Sequence, residues 1–173
     1  MEHSYTSRQE LDKYGFNPGV TLLAPLVCLL LQAALPKTFP WLMHVDLPLI
    51  VTIFFAVSRR SPIAGAMTGT IIGLLQDGLT NHPFGVDGIA NGVVGYIAAS
   101  VGFAVDVDNL VNRILLVFTL SLVQNGVLYV IAHWLLGDVT YRALPLQELV
   151  GAAANCVVAV PMFAVLDRFR TRD

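Results

Sequence analysis

Apolar residues run through this chain in long blocks broken by short polar punctuation. Blocks of this length, without strict two-residue alternation, predict helices rather than half-buried strands. Six are expected, at 19–35, 41–57, 62–75, 85–105, 110–136 and 146–166. Most approach the roughly 20 residues needed to cross a bilayer core; the third is the shortest and the richest in glycine. Asn17-Pro18 reads as an N-cap and first helical position, and Pro36 is expected to end the first helix in a tight loop through Pro40. Trp41 opens the second block as an interfacial anchor. Ser58-Arg59-Arg60-Ser61, a polar turn at 76–84, Asp106-Val107-Asp108-Asn109 and a loop at 137–145 separate the others.

Ahead of the blocks, Ser7 and Glu10 fit a capping box, and a short surface helix is expected over 8–14. The first block reads as a retained span: its leader is long, is not strongly basic and lacks a clear small-x-small cleavage site. The expected organisation is a polar segment at 1–18, one six-helix transmembrane domain at 19–166 and a basic tail at 167–173.

Composition turns a helical pattern into a membrane assignment. Only 13% of the 173 residues are charged and 55% are hydrophobic, with a mean hydropathy of +0.69. Soluble domains carry about 25% charged residues, and a disordered chain is polar and charge-rich, so both classes are excluded. The net charge of −2 has no basic block behind it, which argues against nucleic-acid binding. With six spans the ends share a side, and that side collects Arg8, Lys13, Arg59, Arg60, Arg113, Arg168, Arg170 and Arg172. Only Lys37 and Arg142 fall opposite. Positive charge stays inside, so both termini and the Arg59-Arg60 contact region are expected in the cytoplasm.

Two patterns stand out within the spans. Gly65, Gly69, Gly73 and then Asp77 recur every four residues, and Gly88, Gly92, Gly95, Ala99 and Gly102 line the next span. Small residues at such spacing allow close helix approach; they serve either internal packing or partner docking, and they also permit a homodimer. The second pattern is acidic. Asp46, Asp77 and Asp87 all fall near the expected outer edge and are candidates for one outward pocket, with His44 beside them. Asp77 is either a functional intramembrane acid or a cap for the turn that follows it. Gln124, Asn125 and Asn155 read as interhelical hydrogen-bond partners.

No catalytic set is legible. There is no paired nucleophile and base, no phosphate-binding glycine loop and no metal-ligand spacing among His3, His44, His82 and His133. Cys28 and Cys156 each sit in an apolar run, as small buried hydrophobes do. A non-enzymatic protein without cofactor or metal is expected.

The run from Arg59 through Gly85, with Gly73-Leu74, Asp77, Pro83 and Gly85, resembles the rod shape-determining protein MreD family, as does the pair Gly95-Tyr96. The resemblance implies a multi-pass bacterial inner-membrane protein that scaffolds and regulates the cell-elongation machinery in peptidoglycan synthesis. It implies docking to MreC and, through it, links to RodA, a class B penicillin-binding protein and MreB. It also implies a fold similar to the six-helix substrate-binding (S) component of energy-coupling-factor transporters. The Gly65–Gly73 stripe, with the turn leading to Pro83 and Gly85, is then the expected docking surface, and Gly88 and Gly92 are expected in the same packing. The competing reading is a small-molecule (vitamin) binding subunit of a transporter, with its pocket near Asp46, Asp77 and Asp87. A third is a proton-coupled carrier using those acids, which predicts that Asp77→Asn abolishes function and spares assembly.

Overall fold

The computed structural model describes residues 14–16, 18–38, 44–80, 83–102, 105, 109–137 and 145–172. The elements are β1 (Tyr14–Phe16), α1 (Pro18–Thr38), α2 (Leu47–Arg59), α3 (Pro62–Thr80), α4 (Val86–Val101), α5 (Leu110–Val130), α6 (Pro145–Asp167) and β2 (Arg170–Arg172). A π-helical turn, Ile131–Leu135, prolongs α5. The expected surface helix before Tyr14, Trp41, and Asp106 to Asp108 lie outside the described residues.

The shortest of these helices is the centre of the bundle. Every residue of α2 from Leu47 to Ser58 is buried, and α2 packs against all five other helices. A helix apolar on all sides must be enclosed in this way. It begins at Leu47, six residues later than expected, because Asp46 is its N-cap: the carboxylate accepts the Leu49 N–H at 2.9 Å. Asp-Leu-Pro, with proline in the first turn, is a helix-start signal. At the other end Arg60 takes a left-handed conformation (φ 48°) and its N–H donates to Ala56 O. Thirteen residues rise about 20 Å, against about 30 Å for a hydrocarbon core. The central helix therefore stops short of one end of its neighbours.

Other boundaries move for local reasons. Helix α1 continues past Pro36 to Thr38, since a proline removes one N–H donor without stopping the turn after it. Helix α3 runs to Thr80, which puts Gln76 and Asp77 in its last turns rather than in a loop. Helix α4 ends at Val101, four residues earlier than expected. Helices α5 and α6 match their expected blocks closely.

Helices α3 and α4 form an antiparallel hairpin with the closest packing in the molecule. A Cβ on Gly65 would collide with the Gly95 carbonyl, one on Gly69 with the Asn91 carbonyl, and one on Gly73 with the Asp87 carbonyl. Steps of four residues along α3 thus meet steps of four along α4, backbone against backbone. On α4, Gly92 abuts Thr70 and Gly88 abuts Leu74.

The surface is inverted relative to a soluble protein. Leu22, Leu26 and Leu30 on α1, Met67 and Ile71 on α3, and Leu115 and Trp134 on α5 are exposed, while Gln76, Asn91, Gln124 and Asn155 are buried. Among the described residues two helices, Leu110–Leu135 and Leu146–Asp167, are long and apolar enough to cross a membrane by themselves. Gly19–Ala34, Leu47–Arg59 and Val86–Val101 are apolar but shorter. The described residues thus form six helices, of unequal reach. The first and last described segments come together: β1 pairs antiparallel with β2, Tyr14 opposite Arg172 and Phe16 opposite Arg170.

Candidate functional site

Above the N-terminus of α2 the bundle borders a half-open cavity of about 660 Å³. Its wall draws on the C-terminal halves of α1, α3 and α5 and the N-terminal ends of α2, α4 and α6, as an up-and-down bundle requires. Because α2 is short, the space it leaves is filled by side chains of the surrounding helices, and those side chains are polar.

Asp46 is the hub. Its Oδ2 accepts Gln124 Nε2 at 2.8 Å and Gln76 Nε2 at 3.4 Å, while its backbone N–H donates to Asn155 Oδ1 at 2.8 Å. Asn91 Nδ2 donates to Gln76 Oε1, and Gln124 Nε2 to Asn91 Oδ1, both at 3.2 Å. Asn155 Nδ2 reaches Ser121 Oγ at 3.1 Å. Gln32 holds α1 to the start of α2, donating to Val45 O at 2.9 Å and accepting from Leu47 N at 3.1 Å. Each of the six helices, counting the Asp46 cap with α2, supplies at least one member. A buried amide costs several kcal/mol unless paired, so the network satisfies its own members and fixes the helices against one another.

Of the three acids expected in one pocket, Asp46 and Asp87 line the cavity, as do His44 and Asn125, but Asp77 does not. Asp77 is 2% exposed and turns toward the α3–α4 connection. Its Oδ2 accepts the N–H of Gly85 at 2.8 Å and of Gly88 at 3.3 Å; its Oδ1 accepts that of Asp87 at 2.9 Å. These are donors of the turn and of the first turn of α4, which no intrahelical carbonyl reaches. Gly85 has φ of +102°, a conformation that disfavours any side chain. The four-residue stripe of α3 thus ends in a carboxylate that caps the helix the stripe packs against. Of the two roles expected for Gly65, Gly69, Gly73, Gly88 and Gly92, packing or partner docking, the geometry shows packing: each faces a neighbouring helix of the same chain. The far side of the turn stays open: Pro83 and Phe84 are exposed, and a Cβ on Gly78 would meet nothing within 4 Å.

The opposite end of the bundle is basic. Arg113, at the start of α5, pairs with Asp167 at the end of α6 and lies 5.7 Å from the Phe163 ring centroid. Arg59 and Arg168 are exposed and Arg60 is half-buried. Cys28 and Cys156 are both buried and unbridged. Among the described residues no three His, Cys, Asp or Glu side chains converge as metal ligands.

Two members of the network, Gln32 and Asn91, escaped the sequence reading, although each is a lone amide inside an apolar block. That interruption was the available signal.

Residues 16–169 match the family of the rod shape-determining protein MreD. The chain belongs to that family. The Arg59-to-Gly85 run that suggested it comprises the end of α2, helix α3 and the connection up to the start of α4. Membership makes the chain a membrane protein with a role in rod shape determination, in keeping with its apolar exterior. No curated protein and no solved structure matches the chain.

Proposed function

We propose that this chain is a non-enzymatic scaffold of the cell-elongation machinery in the bacterial inner membrane, holding an MreC-like protein and through it the RodA and penicillin-binding synthases and MreB. The family match carries this reading. Its orientation is with the β1–β2 end and its arginines in the cytoplasm, following the charge bias, and with the cavity toward the periplasm. The likeness to S components that the family resemblance implies is an analogy of fold and not of activity.

With the glycine stripes used internally, the docking surface moves to the outer face of the hairpin. There Leu26 and Leu30 of α1 and Ile71, Leu75, Gly78 and Phe84 border an apolar groove of about 580 Å³. Its walls offer no polar anchor, and Gly78 leaves room for a second backbone, which is what a transmembrane helix of a single-span partner needs. The test is affinity purification from membranes that contain an MreC-like protein. Gly78→Leu and Phe84→Ala are expected to cut its recovery at least about tenfold (~1.4 kcal/mol) while leaving the thermal stability of the purified chain unchanged. Undiminished recovery with both variants would overturn the groove, and no recovery with the unaltered chain would overturn the scaffold.

A further inference from the structure

A hydrogen-bonded network explains why polar residues are buried, but not why so much space is left beside them. A purely structural network closes on itself, whereas this one walls a cavity of about 660 Å³, within the range of small-molecule sites. We infer that the cavity is a binding site for a linear organic amine carrying more than one ammonium group.

The charge of the wall sets the class. Among the described residues Asp46, Asp87 and Glu148 line it, and neither lysine nor arginine does. Asp46 acts as an acceptor only, taking Leu49 N, Gln124 Nε2 and Gln76 Nε2 on its two oxygens, which is the hydrogen-bonding pattern of an ionised carboxylate. Gathering like charges in a space of low dielectric favours entry of a cation and rejects phosphates and carboxylates. A metal ion does not fit, since no three ligating side chains converge among the described residues. The acids stand instead at the starts of α2, α4 and α6, so the complementary positive charge must be spread along a molecule. Amides such as Asn125 and Gln147 on the same wall supply acceptors for the remaining N–H donors. The site rests on the cavity and not on the scaffold role, so its failure would leave partner docking untouched.

Spermidine is the probe, added to the purified chain in nanodiscs of zwitterionic phosphatidylcholine, which offer the polyamine no anionic lipid. Spermidine should raise the unfolding temperature in a saturable way, as a ligand of the native state does; mannitol, and sodium chloride at matched ionic strength, should not. Glu148→Gln, at a position outside the buried network, and the double variant D87N/E148Q should each weaken spermidine binding at least about tenfold. Three results would overturn the site: no saturable shift, an equal shift with mannitol or salt, or unaltered spermidine affinity in Glu148→Gln. The single variant keeps the test decisive even where the double variant does not fold.

Discussion

Asp77 shows how one side chain can look like chemistry and be architecture. An acid after an apolar run invites a reading as a proton carrier, yet its two oxygens are taken by three backbone N–H groups of the next turn. Hydrogen bonds to a charged acceptor contribute about 1.5–3 kcal/mol each. Asp77→Asn turns an acceptor-only group into one with two N–H donors facing other donors. The expected outcome is a loss of about 2–4 kcal/mol, read as a lower unfolding temperature and a smaller folded yield. A carrier role predicts the reverse, normal assembly with lost function, so the stability of Asp77→Asn decides between them. The sequence placed Asp77 on the glycine stripe and named capping as one of its two roles. It could not choose, because the donors lie eight to eleven residues onward and meet the carboxylate only once the α3–α4 connection has closed.

At the scale of elements, the hairpin and the central helix were legible to different degrees. Four-residue glycine spacing announced close packing, and the partner surface is the next helix. What spacing lacked was the identity of that partner, since a small-residue stripe has the same form against any backbone. Helix α2 starts later than expected because the apolar block continues ahead of Leu47, while Val45 and Asp46 are not helical. The Asp-Leu-Pro start signal was present and outweighs hydropathy at a helix end. Two glycines of α3 separate inner from outer faces. Gly69→Leu must drive a side chain into the Asn91 carbonyl, so the folded yield in detergent is expected to collapse, with the hairpin splayed. Gly78→Leu, about two and a half turns later on the same helix, should leave the yield and the unfolding temperature unchanged. A stable Gly69→Leu protein would contradict the observed packing.

At the scale of the molecule, polarity runs along the bundle axis: acids and amides at one end, arginines and the β1–β2 pair at the other. Labelling intact cells checks the direction. In a variant lacking Cys28 and Cys156, Gln147→Cys should react with a membrane-impermeant maleimide from outside, and Arg59→Cys only after the membrane is opened. The opposite pattern would invert the assignment.

The six-helix network has a consequence for how the chain is made. Helices enter the bilayer in sequence from the ribosome, and Asp46 and Asn91 arrive before Gln124 and Asn155 exist to bind them. The bonds of Gln32 and Gln76 need only the first four helices. Completion is therefore built into the polar centre: a chain halted before α6 leaves the Asp46 backbone N–H without its Asn155 acceptor.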